Sequence, residues 1–170
     1  KLNNSNARAA AIIADTSVSA NFTVNNSGDI SATRLIGTTI VTVTKQGTGT
    51  FTTNGTSHNN LTAWDIQAGT VVFANTSGYG ADRGVTINGG TLRLSGANSD
   101  LINDSQSFTI NSGSFDLNGK SEAVASIGGS GGTIRNGLVS SSSTLYVGGG
   151  ASGTSSASYA GAITNGNGTL

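Results

Sequence analysis

The sequence contains no cysteine, no proline and no methionine, and only 9% of its 170 residues are charged. Without cysteine, the chain can form neither disulfides nor thiolate metal sites. The formal net charge is +0, which argues against the basic surface that nucleic-acid binding requires. No apolar run approaches the roughly 20 residues that a membrane-spanning helix needs. We therefore expect no nucleic-acid partner and no membrane insertion by this chain.

Glycine, by contrast, is abundant at 26 residues, and serine, threonine and asparagine fill most polar positions. Disordered chains usually combine high net charge with few β-branched residues, whereas this chain has little charge and many valine, isoleucine and threonine residues. The composition therefore favours strands joined by tight turns. The length fits a single domain over residues 1–170. Because the chain opens with Lys1 and stops at Leu170 in strand-like sequence, we expect it to be a segment of a longer protein.

One nine-residue phrase occurs three times, as DIQAGTVVF (65–73), TINGGTLRL (86–94) and TINSGSFDL (109–117). The offsets between the first positions of successive copies are 86 − 65 = 21 and 109 − 86 = 23. Each copy, with the residue before it, places pairs of apolar residues at alternate positions on both sides of a bend. Period-two alternation puts each pair on one face of a short strand. We predict that these residues form the stacked structural core: Trp64, Ile66, Val71, Phe73, Val85, Ile87, Leu92, Leu94, Phe108, Ile110, Phe115 and Leu117.

A glycine lies at the bend of each copy, at Gly69, Gly90 and Gly113. Glycine adopts positive φ without steric cost, so these positions are suited to a sharp turn between two strands. Gly132 follows Gly113 at an offset of 132 − 113 = 19, in SIGGSGGTIRNG (126–137). We predict that these four are turn glycines.

Self-similarity with a period of about 20 residues is typical of solenoids, in which stacked copies bury a face that one copy cannot bury alone. Two strands per repeat without any helical pattern predict an all-β fold, a parallel β-helix. Dividing the length by the period gives roughly eight coils of about 19–23 residues. The coils are best defined over 47–135 and looser towards both ends.

The stretch GTGTFTTNGTSHNNLTAWDIQAGTVVFAN (47–75) resembles the autotransporter-associated β-strand repeat, also called the passenger-associated transport repeat. The matching residues are Gly47, Gly49, Thr50, Phe51, Gly55, Leu61, Ile66, Ala68, Gly69, Thr70, Val71 and Phe73. The resemblance extends over about residues 47–170. It implies a right-handed β-helix in a secreted or surface-exposed bacterial protein, and it implies no catalytic residues.

The charged residues show no recurring pattern. Asp100 and Asp104 are close in sequence, but no carboxylates recur in register, so we expect no carboxylate cluster and no catalytic, cofactor-binding or metal-binding residues. His58 is the only histidine, and it lies in a polar stretch that favours a solvated side chain. Arg93 and Asp116 occupy matching positions of neighbouring copies, which we interpret as an exposed ion pair between turns.

Asn88 and Asn111 also match between copies, as do Thr86 and Thr109. Amide side chains stacked along neighbouring strands hydrogen-bond to one another. We interpret this row as structural, with carbohydrate binding as the alternative.

These observations favour a non-enzymatic extracellular structural protein without a cofactor. It would be either a stalk or adhesin segment of a bacterial surface passenger domain, or a fibre subunit that stacks end to end. The expected partners are further copies or neighbouring repeats of the same protein. The alternative is a polysaccharide-binding or polysaccharide-cleaving β-helix, whose partners would be surface glycans.

Overall fold

The computed structural model describes residues 2–4, 11–13, 16–148 and 158–170. Within these ranges the backbone forms no helix, and therefore none that is long and apolar enough to cross a membrane. The strands are parallel and stack as a β-solenoid of about six turns. The predicted all-β, parallel β-helical fold is therefore confirmed.

Each turn presents up to three faces, and the strands divide among them. The first face contains β1 (Leu2–Asn4), β4 (Phe22–Asn26), β7 (Val41–Gln46), β9 (Thr62–Ile66) and β14 (Ser126–Gly128). The second face contains β2 (Ala11–Ile13), β5 (Ile30–Ala32), β8 (Thr50–Thr53), β10 (Thr70–Phe73), β15 (Thr133–Arg135) and β17 (Ala162–Thr164). The third face contains β3 (Thr16–Val18), β6 (Leu35–Gly37), β13 (Glu122–Val124) and β16 (Leu145–Val147). β11 (Val85–Leu94) and β12 (Ser107–Asp116) bend and belong to the first and second faces together.

Successive turns pair in register at intervals close to the sequence repeat. Trp64 pairs with Val85 and Val85 with Phe108, at offsets of 85 − 64 = 21 and 108 − 85 = 23 along the chain. The last turn is longer, because Thr133 pairs with Ala162 at an offset of 162 − 133 = 29. It includes residues 149–157, which lie outside the described ranges. Dividing the length by one uniform period therefore overestimated the number of coils, and eight was slightly too many.

The interior is built from columns of apolar side chains that run from turn to turn. Val71 pairs with Leu92, and Leu92 with Phe115, so three residues predicted to share the core lie directly above one another. All twelve residues of the predicted core stack are at most 1% exposed. Aromatic rings fill part of the core, where Trp64 packs against Phe51 and Phe73 at ring-centroid distances of 5.5 and 5.6 Å. Such tilted or edge-on ring pairs stabilise a core beyond their buried area.

Buried asparagines hold corners between faces. Asn59 is fully buried, and its Oδ1 accepts the Leu35 N–H at 2.8 Å while its Nδ2 donates to the Gly80 carbonyl at 3.0 Å. The side chain therefore connects three successive turns. Because buried backbone groups must find partners, an amide with both a donor and an acceptor suits corners where the strand ladder is interrupted.

The bend glycines serve two different purposes. Gly69, Gly113 and Gly132 have φ values of 66°, 82° and 83°, which other residues adopt only with strain. Gly90 is not among the residues with positive φ, so that expectation was wrong for this position. A Cβ at Gly90 would lie 2.7 Å from Ile66 Cγ2 and 2.8 Å from the Gly69 carbonyl. Glycine is therefore required there because the neighbouring turn approaches so closely.

Truncation of a column residue should destabilise the whole stack. Phe115 is fully buried and packs against Phe108 at a ring-centroid distance of 4.6 Å. We expect Phe115→Ala to lower the free energy of unfolding by about 3–5 kcal/mol, because it leaves a cavity between two turns. Arg93→Ala, an exposed change one residue from the same column, should cost about 0.5 kcal/mol or less. Equilibrium urea unfolding measures both variants. An equal loss of unfolding free energy in Phe115→Ala and Arg93→Ala would contradict the buried position of Phe115 in the core.

Candidate functional site

Three carboxylates from two successive turns meet at the third face of the solenoid. Asp100 and Asp104 lie in the connection between β11 and β12, and Glu122 is the first residue of β13. One carboxylate oxygen of each residue lies within 4.8 Å of one oxygen of each of the other two. They border a cavity of about 240 Å³, here called the acidic pocket, which is lined by Ser99, Asp100, Asp104, Ser121, Glu122, Ala123 and Tyr146.

Glu122 is held in place by backbone amides. Its Oε2 accepts the Leu101 N–H at 3.0 Å, and its Oε1 accepts the N–H groups of Ile102 at 3.3 Å and Ala123 at 3.2 Å. The side chain is only 2% exposed. A carboxylate that accepts several amide hydrogen bonds is fixed in orientation, so Glu122 forms a rigid base for the pocket.

The pocket brings three carboxyl groups together in a poorly solvated place, where burial disfavours their charged forms. Burial raises the pKa of Glu122 to about 8, against the opposing effect of the amide hydrogen bonds from Leu101 and Ile102. Burial, followed by the neighbouring Asp104 carboxylate, raises the pKa of Asp100 to about 6. Among the described residues, no lysine or arginine forms an ion pair with any of these three carboxylates. The cluster is therefore not neutralised by a described lysine or arginine, although the nearby His58 counteracts the rise in the pKa of Asp100.

Two aromatic residues lie beside this cluster. The pKa of Tyr79 is raised by burial first and then by Asp100 and Asp104. Its ring packs on His58 at a centroid distance of 4.6 Å, and its backbone N–H donates to His58 Nδ1 at 3.1 Å. His58 is exposed, but the interpretation as a merely solvated side chain was incomplete, since its ring nitrogen supports the neighbouring turn.

The expectation that no carboxylates cluster was wrong. Asp100 and Glu122 do not occupy matching strand positions, so comparing aligned repeats could not bring them together. The sequence did contain one usable signal, the separation along the chain. Leu101 and Glu122 are 122 − 101 = 21 residues apart, which is one turn, and the Leu101 N–H donates to Glu122. In a solenoid, residues about one period apart are neighbours even at corners.

The predicted ion pair between Arg93 and Asp116 is also absent from the described contacts. The two residues do pair in register between β11 and β12. Asp116, however, is 5% exposed and lies 3.4 Å from the Arg135 guanidinium of the following turn. Its Oδ1 also accepts the Gly137 N–H at 2.7 Å. Asp116 therefore connects forward along the solenoid, and Arg93 stays exposed.

The predicted amide row exists, with a displaced register. Asn111 Nδ2 donates to Asn88 Oδ1 at 2.8 Å, and Asn88 Nδ2 donates to Asp65 Oδ1 at 2.8 Å. The backbone partner of Asn88 is Ser112, because a bulge shifts the pairing between Ile87 and Asn88. Thr86 and Thr109 pair directly, as expected. The row connects three turns through side-chain hydrogen bonds on the surface.

A lysine occupies one position of an apolar column. Lys45 pairs with Val24 on one side and Ile66 on the other, and it is fully buried. Its Nζ donates to the carbonyl oxygens of Gln46 at 2.7 Å, Gly47 at 2.9 Å and Ala68 at 3.4 Å. Burial lowers the pKa of this ammonium to about 8. The three carbonyls orient Lys45, but no carboxylate of the described residues pairs with it.

Comparisons with protein-family models, with curated proteins and with solved structures find no match to this chain. The function must therefore be inferred from the fold and from the residues themselves.

The buried ammonium predicts a rise in stability at alkaline pH. An unfolded lysine has a pKa of about 10.4, so between about pH 8 and this value the unfolded chain binds more protons than the folded chain. The free energy of unfolding should therefore increase between about pH 8 and pH 10.4, by at most about 3 kcal/mol. Lys45→Met removes the titrating group and keeps an unbranched side chain in the column.

We expect the difference in unfolding free energy between wild type and Lys45→Met to be constant below about pH 8. Above that pH it should change in favour of the wild type. Urea unfolding in a series of buffers measures it. A difference that stays constant through the alkaline range, or that changes in favour of the variant, would contradict a depressed pKa.

Proposed function

We propose that this protein is a non-enzymatic, extracellular structural protein of a bacterial surface, in which the solenoid serves as a rod that is extended by end-to-end stacking. The stacked core supports a mechanical role, because each turn provides the surface on which the next one packs. The resemblance of 47–75 to the repeat of autotransporter passenger domains supports the extracellular setting. The low charge and the absence of cysteine are compatible with that setting.

One observation carries the stacking proposal. The column Val71, Leu92, Phe115 and Ile134 continues to Ile163, which pairs with Ile134 between β15 and β17. Ile134 is fully buried, whereas Ile163 is 64% exposed. Val147 likewise pairs with the buried Val124 and is 57% exposed. Among the described residues, these two positions of the core columns are thus exposed at this end.

The backbone at the same end is also unpaired on one side. Among the described strands, β17 pairs only with β15, and β16 pairs only with β13. Free strand edges present rows of N–H and C=O groups that readily pair with another chain. An apolar column and an open edge in the same place form a surface that matches another turn of the same solenoid. We propose that another turn of the same kind covers it, either in a second copy of the chain or in neighbouring repeats of the same protein.

Association should depend on the exposed column residue. We expect the 170-residue chain to form larger species as its concentration rises, and Ile163→Lys to reduce this association at least tenfold. Lysine at an open edge disfavours strand pairing, because its ammonium would have to be buried. Ile40→Lys is the matched control, since Ile40 is also 64% exposed but lies between β6 and β7. Sedimentation velocity at several concentrations measures the species.

Two outcomes would contradict the stacking proposal. In one, the wild-type chain stays monomeric at high concentration. In the other, Ile163→Lys and Ile40→Lys weaken association equally, which would show general surface adhesion.

Polysaccharide cleavage is the second candidate, and the acidic pocket is the observation that favours it. Glycoside hydrolases use two carboxyl groups on either side of the bond that is cleaved, one of them with a raised pKa. Glu122 has such a pKa, but it is 2% exposed and bound by three amides, which limits its access to a sugar. Release of reducing ends from neutral and acidic polysaccharides tests this activity. Release that is lost in Glu122→Gln would support cleavage, and no release would refute it.

A further inference from the structure

The acidic pocket has the composition of a site for a hard cation. It contains the carboxylates of Asp100, Asp104 and Glu122, and one oxygen from each lies within 4.8 Å of one from each of the others. The hydroxyl-bearing residues Ser99 and Ser121 line the same cavity. Oxygen ligands of this kind are the ones that calcium and magnesium prefer.

A second observation concerns individual atoms. Asp100 Oδ1 and Asp104 Oδ1 are both buried from solvent, and neither accepts a hydrogen bond. Buried carboxylate oxygens without a partner are strongly unfavourable, so nearly all such atoms in proteins are bound by something. Two of them in one pocket, without an ion pair to a described lysine or arginine, favour the binding of a positive charge, either a proton shared between the two neighbouring carboxyl groups or a cation. A bound cation would satisfy both atoms at once.

The arrangement favours calcium over other metals. Zinc prefers cysteine and histidine ligands, but the chain has no cysteine and its one histidine accepts a hydrogen bond from Tyr79. Magnesium demands near-ideal octahedral geometry, whereas calcium accepts six to eight oxygens in irregular arrangements. The cavity of about 240 Å³ leaves room for water molecules to complete such a shell.

We propose that the acidic pocket binds Ca²⁺ through Asp100, Asp104 and Glu122. The ion would join two successive turns at the third face, since the two aspartates precede β12 and Glu122 begins β13. Glu122 already connects these turns through the amides of Leu101 and Ile102, so its carboxylate is positioned before the ion arrives. Binding would displace the proton that burial favours on Glu122 near neutral pH and hold the three carboxylates on one ion, and so stabilise the solenoid locally.

The proposal is tested on the 170-residue chain after removal of metal by a chelating resin. We expect CaCl2 to raise the melting temperature in a saturable manner, by about 5–10 °C at roughly a hundred times the dissociation constant. Asp104→Asn and Glu122→Gln keep side-chain shape but each remove one ionisable carboxyl ligand, and they should raise the calcium concentration needed for half of the melting-temperature shift at least tenfold. Asp29→Asn is the control, because it removes an exposed carboxylate elsewhere and should respond like the wild type.

Terbium luminescence gives a second measurement that does not depend on unfolding. Tyr146 lines the pocket, so excitation of tyrosine should sensitise bound Tb³⁺, and added CaCl2 should displace it. Circular dichroism establishes that each variant is folded before it is titrated.

The calcium site would be overturned by a wild-type melting temperature that does not change with CaCl2, or by an equal response of Asp104→Asn and wild type. An equal response to MgCl2 would overturn the assignment to calcium. The outcome is independent of end-to-end stacking, which depends on Ile163 and is measured by sedimentation.

Discussion

The structure depends on one constraint, that each turn must lie in register on the turn beneath it. Parallel strands stack about 4.8 Å apart, and at that spacing every inward side chain meets its counterpart from the neighbouring turns. The pairing of Val71, Leu92 and Phe115 shows this in the core. The same spacing brings backbones close together at the bends, which is why a Cβ at Gly90 would collide with Ile66 and Gly69. Burial of the apolar side chains and hydrogen bonding between strands thus both require the same register of each turn on its neighbours.

The same constraint explains where polar groups can be buried. Residues about one period apart become neighbours, so a side chain can bond to the turns above and below it, as Asn59 does at a corner. Lys45 is tolerated inside an apolar column because three carbonyls at the adjoining bends accept its hydrogen bonds. Glu122 is positioned likewise by amides of the preceding turn. The stacking of turns in a β-solenoid can therefore also bring charged groups together at its corners.

The repeat alone was sufficient to predict the fold, since the spacing of Trp64, Val85 and Phe108 is the spacing of turns. Outward and corner positions were harder, because they do not follow the strand alignment. A bulge after Ile87 displaced the backbone partner of Asn88, and Asp116 paired with Arg135 in place of Arg93. The acidic pocket escaped prediction because Asp100 and Asp104 lie in a connection and Glu122 begins a strand of the third face, so the three share no position in the aligned repeat. Lys45 was unexpected because a charged residue in an apolar column is rare unless its donors are satisfied.

The register itself can be measured by disulfide trapping, because the chain has no cysteine of its own. Thr86 and Thr109 pair directly between β11 and β12, at positions that alternate with the buried column residues. A disulfide needs Cα atoms about 4.4–6.8 Å apart, which neighbouring strands satisfy. The double variant Thr86→Cys, Thr109→Cys should therefore oxidise readily, while Thr86→Cys with Ser107→Cys, two positions out of register, should not. Efficient oxidation of the second pair, with none in the first, would contradict in-register stacking.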